Sequence, residues 1–216
     1  MLENFPCTII FMADGDTDYL FLEKMLKEDA ELSELPITML RPEDAGLKRR
    51  TGGGHLTLLK EIGFAAIRAA QGHADGVFAL VDNDDDDRFR FPHEQACGNC
   101  RECEAQAELA KITWGRPFKK GVSILFRALE TLLLSAKDGF TPQIEEHLYG
   151  ERLKRQLYGS CVNLHHKPEV FAACQQVLSQ ISVERIGAKS YPRLKQHLRA
   201  MLIAEPSAEY LAPSKC

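Results

Sequence analysis

Hydrophobic and polar positions fall in alternating blocks along the chain, short β-branched runs followed by stretches with helical spacing. Cys7 to Ala13 is a nearly continuous apolar run of strand length that closes on Asp14, Gly15 and Asp16. Asp14 to Thr17 predicts a tight turn with Gly15 at positive φ. Thr17 then caps a helix whose apolar residues Leu20, Leu22, Met25 and Leu26 share one face. Ile37 to Leu40, after Pro36, predicts a second short strand, and the polar, glycine-rich RPEDAGLKRRTGGGH predicts a loop as far as His55. Leu58, Leu59, Ile62, Ala66 and Ala69 make a helical stripe over Leu56 to Ala70. A third strand then begins at Val77 and empties into Asp82, Asn83 and a run of aspartates.

RFRFPHEQACGNCREC is irregular, Glu104 to Lys111 predicts a short helix, Gly121 to Leu125 a fourth strand, and Phe126 to Ala136 a helix carrying Glu130 among leucines. Past Gly139 three helices are predicted, Pro142 to Leu157, Pro168 to Ile181 and Tyr191 to Ala204, before a frayed tail. Alternation of this kind predicts an α/β fold: a mainly parallel four-stranded sheet with helices on both faces over residues 1–138. A C-terminal helical extension over 139–216 is expected to pack on that core.

Composition places the chain among globular proteins: 216 residues, 44% hydrophobic and 27% charged, support one core with an elaboration. No apolar run approaches the ~18 residues of a membrane span, and MLENFPC lacks the layout of a signal peptide. A cytoplasmic protein without membrane contact is expected. Seven cysteines, an odd number, with three in CGNCREC, suggest thiols or metal ligands rather than a disulfide framework. The net charge of -4 disfavours blanket nucleic-acid binding but says nothing of local patches. Basic residues cluster at Lys48, Arg49, Arg50 and at Lys119, Lys120.

The candidate chemistry lies at the acidic strand ends. Asp82 and Asp84 are one residue apart, so extended backbone puts them on one face, while Asp14 arrives from a neighbouring strand. Three carboxylates at the C-terminal edge of a parallel sheet are the donor set that Mg²⁺ takes together with water and phosphate oxygens. A cation so held stabilises the charge that develops when a phosphodiester is attacked. The competing account of the DDDD run is a solvated turn, which is the reading for Asp85, Asp86 and Asp87.

MADGDTDYLFLEKML resembles the opening motif of Toprim domains, a strand followed by acid and glycine and then a helix with a further aspartate near its start. VDNDDDD resembles their second motif, an Asp-x-Asp after a strand. ALETLLLSAKD is similar to the glutamate-bearing helix of several small Toprim-like proteins, among them the OLD-type nucleases of bacterial and phage conflict systems. The resemblance spans about residues 5 to 138. It implies a Toprim-like, Mg²⁺- or Mn²⁺-dependent nuclease that cleaves DNA or RNA in anti-phage defence, with a partner ATPase or sensor protein and a homo-oligomer as candidate assemblies. By the same resemblance Asp14 binds metal or transfers a proton, Asp18 supports the first metal, Asp82 and Asp84 hold Mg²⁺, and Glu130 is an additional ligand. From the residues alone, Glu130 is equally a helix residue making a salt bridge. The family carries glutamate where this chain has Asp14, and the missing methylene moves the carboxylate by about 1 Å. The alternative is therefore a non-catalytic Toprim-like subunit whose degenerate site binds nucleic acid, a nucleotide or a partner without cutting.

His93, Cys97, Cys100 and Cys103 form H-x3-C-x2-C-x2-C, compact enough to wrap one tetrahedral Zn²⁺. Such a knuckle over 93–103 would be structural, because four protein ligands leave no open position. The competing account has free thiols and a surface histidine. Arg49 and Arg50, beside the GGG of RRTGGGH, suit contact with a nucleic-acid backbone, but the segment lacks the Lys-Ser/Thr ending of a P-loop. Lys119 and Lys120 are taken with them as nucleic-acid-binding candidates, and Lys167 reads as solvated.

Overall fold

The computed structural model describes residues 6–48, 54–83, 100–137 and 150–204. At its centre are four strands, β1 (Cys7–Met12), β2 (Ile37–Leu40), β3 (Gly76–Asp82) and β4 (Lys119–Leu125), all parallel and in the order β2-β1-β3-β4. The helices are α1 (Asp16–Glu28), α2 (Gly54–Ala70), α3 (Arg101–Ala110), α4 (Leu129–Ser135), α5 (Gly150–Tyr158), α6 (Lys167–Gln180) and α7 (Ser190–Ile203). One 3-10 turn at Val183–Arg185 precedes α7. Among the described residues no helix is long and apolar enough to cross a membrane.

Each central strand is apolar on both sides because each side is covered, as parallel crossover connections require. Ile9 and Phe11 of β1 and Phe78 and Leu80 of β3 meet α1, α4, α5, α6 and α7 on one face. Ile10, Met12, Val77, Ala79 and Val81 meet α2 and α3 on the other. The second face is rich in alanine, with Ala65, Ala66, Ala69 and Ala70 of α2 and Ala105 of α3 all buried, whereas the first is filled by leucine, phenylalanine and tyrosine.

The C-terminal helices are built into the first face. Tyr191 Oη donates to Asp29 Oδ2 at 2.7 Å, and the Ala30 N–H donates to Glu184 Oε1 at 2.7 Å. Helix α7 runs against β4, where a Cβ on Gly121 would stand 2.8 Å from Met201 Sδ and 2.7 Å from Phe78, so only glycine admits the helix without displacement. His197 Nδ1 lies 2.7 Å from the Val122 carbonyl and, because a carbonyl only accepts, is the donor.

Several boundaries differ from those expected. Gly15, not Thr17, caps α1, and it does so at φ -130, ordinary extended backbone rather than positive φ. Helix α3 starts at Arg101, three residues early, and β4 starts at Lys119, which draws both lysines into the strand. Helix α4 starts at Leu129, because the chain uses Phe126 to Ala128 to leave the sheet, with Ala128 still extended at φ -154. The predicted helix from Pro142 is seen only over Gly150–Tyr158; its earlier part lies outside the described residues.

Candidate acidic site at the sheet edge

Strand register sets the level of the two acidic ends. Met12 pairs with Ala79, and Asp82 with Leu125. Asp14 lies two residues past the end of β1, in the bend before α1, so it and Asp82 stand at the same C-terminal edge of two neighbouring strands about 4.8 Å apart. From β1 the chain passes to α1 on one face, and from β3 to α3 on the other. Connections that diverge in this way open a crevice at the C-terminal ends of the two strands, the position where open α/β sheets bind ligands.

The surroundings fix this edge. The Ala13 N–H donates to Tyr19 Oη at 3.1 Å, tying the end of β1 to the first turn of α1. Asp14, just beyond, is exposed. Asp18 is 5% exposed, and its Oδ2 accepts the Gly15 N–H at 2.7 Å, the reach-back of an acidic residue at the third helical position. Its visible role is thus to hold the turn that presents Asp14. Asp82 is half-buried, and its carbonyl accepts a hydrogen bond from Arg101 Nη1 at 2.8 Å. The Asn83 N–H donates to the Leu125 carbonyl at 3.0 Å, carrying the β3–β4 ladder one residue past the strand.

Arg101 and Arg127 were not foreseen as residues of this edge. Arg127 follows β4 directly, with its guanidinium 5.1 Å from the centre of the Phe126 ring. In the sequence Arg101 stands inside CGNCREC, where the cysteine spacing is the dominant signal, and Arg127 lies within a run that reads as helix.

Glu130 is buried under the same edge. Tyr158 Oη donates to its Oε1 at 3.3 Å, and Lys154 Nζ lies 3.8 Å from that oxygen. Burial, then the Glu130 charge, pushes the Tyr158 phenol far above its usual range, so it stays a donor. Burial likewise pushes the neighbouring Cys174 thiol up to about 12; the Tyr158 hydroxyl works against this, and the Glu130 and Asp18 carboxylates add to it. The salt bridge expected of Glu130 as a plain helix residue is present, although the residue is buried rather than half-exposed.

Other candidates are not brought to this edge. Lys119 and Lys120 begin β4, so in a parallel sheet they stand at the opposite, N-terminal edge. Lys119 Nζ donates to the carbonyls of Leu202 at 2.6 Å and Ala204 at 2.5 Å, closing the end of α7. Lys120 is 7% exposed; its ammonium lies 4.8 Å from the Phe118 ring centre, donates to the Ile112 carbonyl at 3.2 Å, and is pushed down in pKa by burial. These ammonium groups make contacts within the fold, at the edge opposite the acidic strand ends. Cys100 and Cys103 are buried against Ile124 and Phe126, with sulfurs 3.5 Å apart. Asp84, His93, Cys97, Arg49 and Arg50 lie outside the described residues. Among the described residues no three His, Cys, Asp or Glu side chains are grouped so as to hold a metal ion. No family model, curated protein or solved structure matches the chain.

Proposed function

We propose that the chain is a divalent-cation-dependent nuclease acting on DNA or RNA phosphodiesters at the β1/β3 crevice, with Asp14 and Asp82 facing the substrate and Asp84 completing the acidic set. The observation that carries this reading is that the acidic ends of β1 and β3 leave neighbouring parallel strands at one edge of the sheet, where their connections diverge. Carboxylates in an open crevice are hard oxygen donors, which fit Mg²⁺ or Mn²⁺. A cation held by Asp82 and Asp84 supplies charge stabilisation for phosphodiester attack. Asp14, exposed at the end of β1, is placed to accept a proton from an attacking water. Asp18 is a positioning residue through its bond to the Gly15 N–H. Arg101, at the Asp82 carbonyl, brings a planar guanidinium suited to a phosphate.

One residue favours a second reading, a subunit that binds nucleic acid without cutting it: Asp14 stands where the resembled family carries the longer glutamate. Single-turnover assays on labelled single- and double-stranded DNA and RNA, with Mg²⁺, Mn²⁺ or EDTA, separate the two. Metal-dependent cleavage that disappears in Asp82→Asn supports the nuclease. Retention of an oligonucleotide without cleavage in any metal supports the binder.

A further inference from the structure

Beside the acidic edge, on the α2 face, is an open cavity of about 430 Å³ lined by Met12, Pro42, Gly46, Leu47, Lys48, Thr57, Lys60, Glu61 and Phe64. Its position follows from topology. Met12 ends β1 two residues before Asp14, Pro42 to Lys48 follow the end of β2, and Thr57 to Phe64 come from the first half of α2, which starts at this same edge. The cavity therefore opens where the acids are, on the other side of β1 from α1.

Its walls combine three kinds of chemistry. Pro42, Leu47, Met12 and Phe64 offer flat apolar surface, and Phe64 is 53% exposed, unusual for a phenylalanine with buried space beside it. Lys48 and Lys60 supply positive charge, and among the described residues neither ammonium is seen in an ion pair. Glu61 places a carboxylate on the same wall. Leu56, Lys60 and Phe64, four residues apart, are all exposed on one face of α2 and extend the surface over about 12 Å of helix.

We propose that this cavity receives one nucleotide of a single-stranded nucleic acid, its base stacked on Phe64 and its backbone phosphates met by Lys48 and Lys60, with the strand continuing past Met12 to the acidic edge. An aromatic face plus lysines is the combination that holds single strands without sequence preference, and a base must leave its duplex stack to lay its face on the ring. The inference deepens the nuclease reading by naming a single strand as substrate, and it rests on that reading only for what happens at Asp14 and Asp82.

The test is fluorescence anisotropy with end-labelled DNA and RNA oligonucleotides, single-stranded and as duplexes, in EDTA so that nothing is cut. Phe64→Ala is expected to weaken single-strand binding about tenfold and to leave duplex binding unchanged. Lys60→Ala is expected to lower the magnitude of the slope of log affinity against log salt by about 0.7. In a Trp114→Phe background, Phe64→Trp should bind as the parent does, with its emission quenched by the oligonucleotide. Parental affinity in both Phe64→Ala and Lys60→Ala, or equal losses for duplex and single strand, would overturn the proposal. Equal competition by a nucleoside monophosphate would also overturn it. The acidic site is read separately: absent cleavage together with the Phe64→Ala and Lys60→Ala losses would remove the nuclease and leave the strand-binding cavity.

Discussion

The guanidinium of Arg193 grips the carboxylate of Glu102 through two hydrogen bonds, Nη1 to Oε2 at 2.6 Å and Nη2 to Oε1 at 2.7 Å, with the side chains 14% and 2% exposed. The pair joins α7 to the first turn of α3, next to Arg101 and Cys103. Arg193→Ala leaves a buried carboxylate without its cation and should cost roughly 3–5 kcal/mol. Urea unfolding reads this. The double variant Arg193→Met, Glu102→Leu removes both charges and should recover most of the loss; equal destabilisation of single and double variants would show that the arginine acts by packing alone.

At the acidic edge, Asp82→Ala should abolish calorimetric binding of Mn²⁺, because it removes a carboxylate donor of the proposed site. Undiminished Mn²⁺ affinity in this variant would remove Asp82 from the site.

Asp14 tests the nature of the chemistry. Asp14→Asn keeps the shape but neither balances metal charge nor accepts a proton, so cleavage should vanish, whereas Asp14→Glu should keep or raise it. Cleavage by Asp14→Asn at the parental rate would mean that this carboxylate is not part of the reaction.

Two buried sulfurs 3.5 Å apart at the start of α3 suit joint binding of one thiophilic ion. Purified protein is expected to carry about one equivalent of zinc by elemental analysis, lost in Cys100→Ser. Metal-free protein in which Cys97, Cys100 and Cys103 all react with a thiol reagent would refute the knuckle.

Asp29 governs the acid limb of stability. Burial opposes its charge, but hydrogen bonds from Tyr191, Lys195 and the Glu31 N–H outweigh that cost and hold the carboxyl below the usual value of 3.8. A depressed pKa contributes stability that is present above the unfolded value and is lost as pH falls through the folded one, so the loss should begin below about pH 4. Asp29→Asn should cost roughly 1.5–3 kcal/mol at pH 7 and flatten the decline below pH 4. Lys195 has the opposite sign. Burial lowers its pKa, yet bonds to Glu31 and Asp29 raise it overall above 10.5, so its contribution is lost only as pH climbs past that value. An unchanged acid limb in Asp29→Asn would place the sensitivity elsewhere.

The parts of this fold that were legible in the sequence are those buried on both faces. β1 and β3 stand out as apolar runs ending in acid because a central parallel strand admits little else. The start of β4 did not stand out: Lys119 and Lys120 are tolerated in a strand only because α7 offers carbonyls to one and Phe118 and Ile112 shelter the other. These partners are distant in sequence, apart from the Phe118 ring. Asp18 is a different case: an aspartate three residues after Gly15 fits a capping position, and the structure shows that bond to the Gly15 N–H. Arg101 and the Lys48, Lys60, Phe64 cavity are assembled from segments that no local period connects.

The partition of the sheet between early and late parts of the chain bears on synthesis. Residues up to 137 contain all four strands, yet the face formed by Ile9, Phe11, Phe78 and Leu80 is completed by α5, α6 and α7, which the ribosome makes after the sheet. A nascent chain halted after β4 therefore presents an apolar sheet face covered only in part, by α1, and contacts such as Tyr191 to Asp29, 162 residues apart, close only once α7 has been made. Pairing over such separations is slow, and an uncovered sheet is a surface on which chains aggregate. Ribosome-bound chains stalled before α5 should bind hydrophobic dyes and associate with chaperones, and chains extended past Met201 should not.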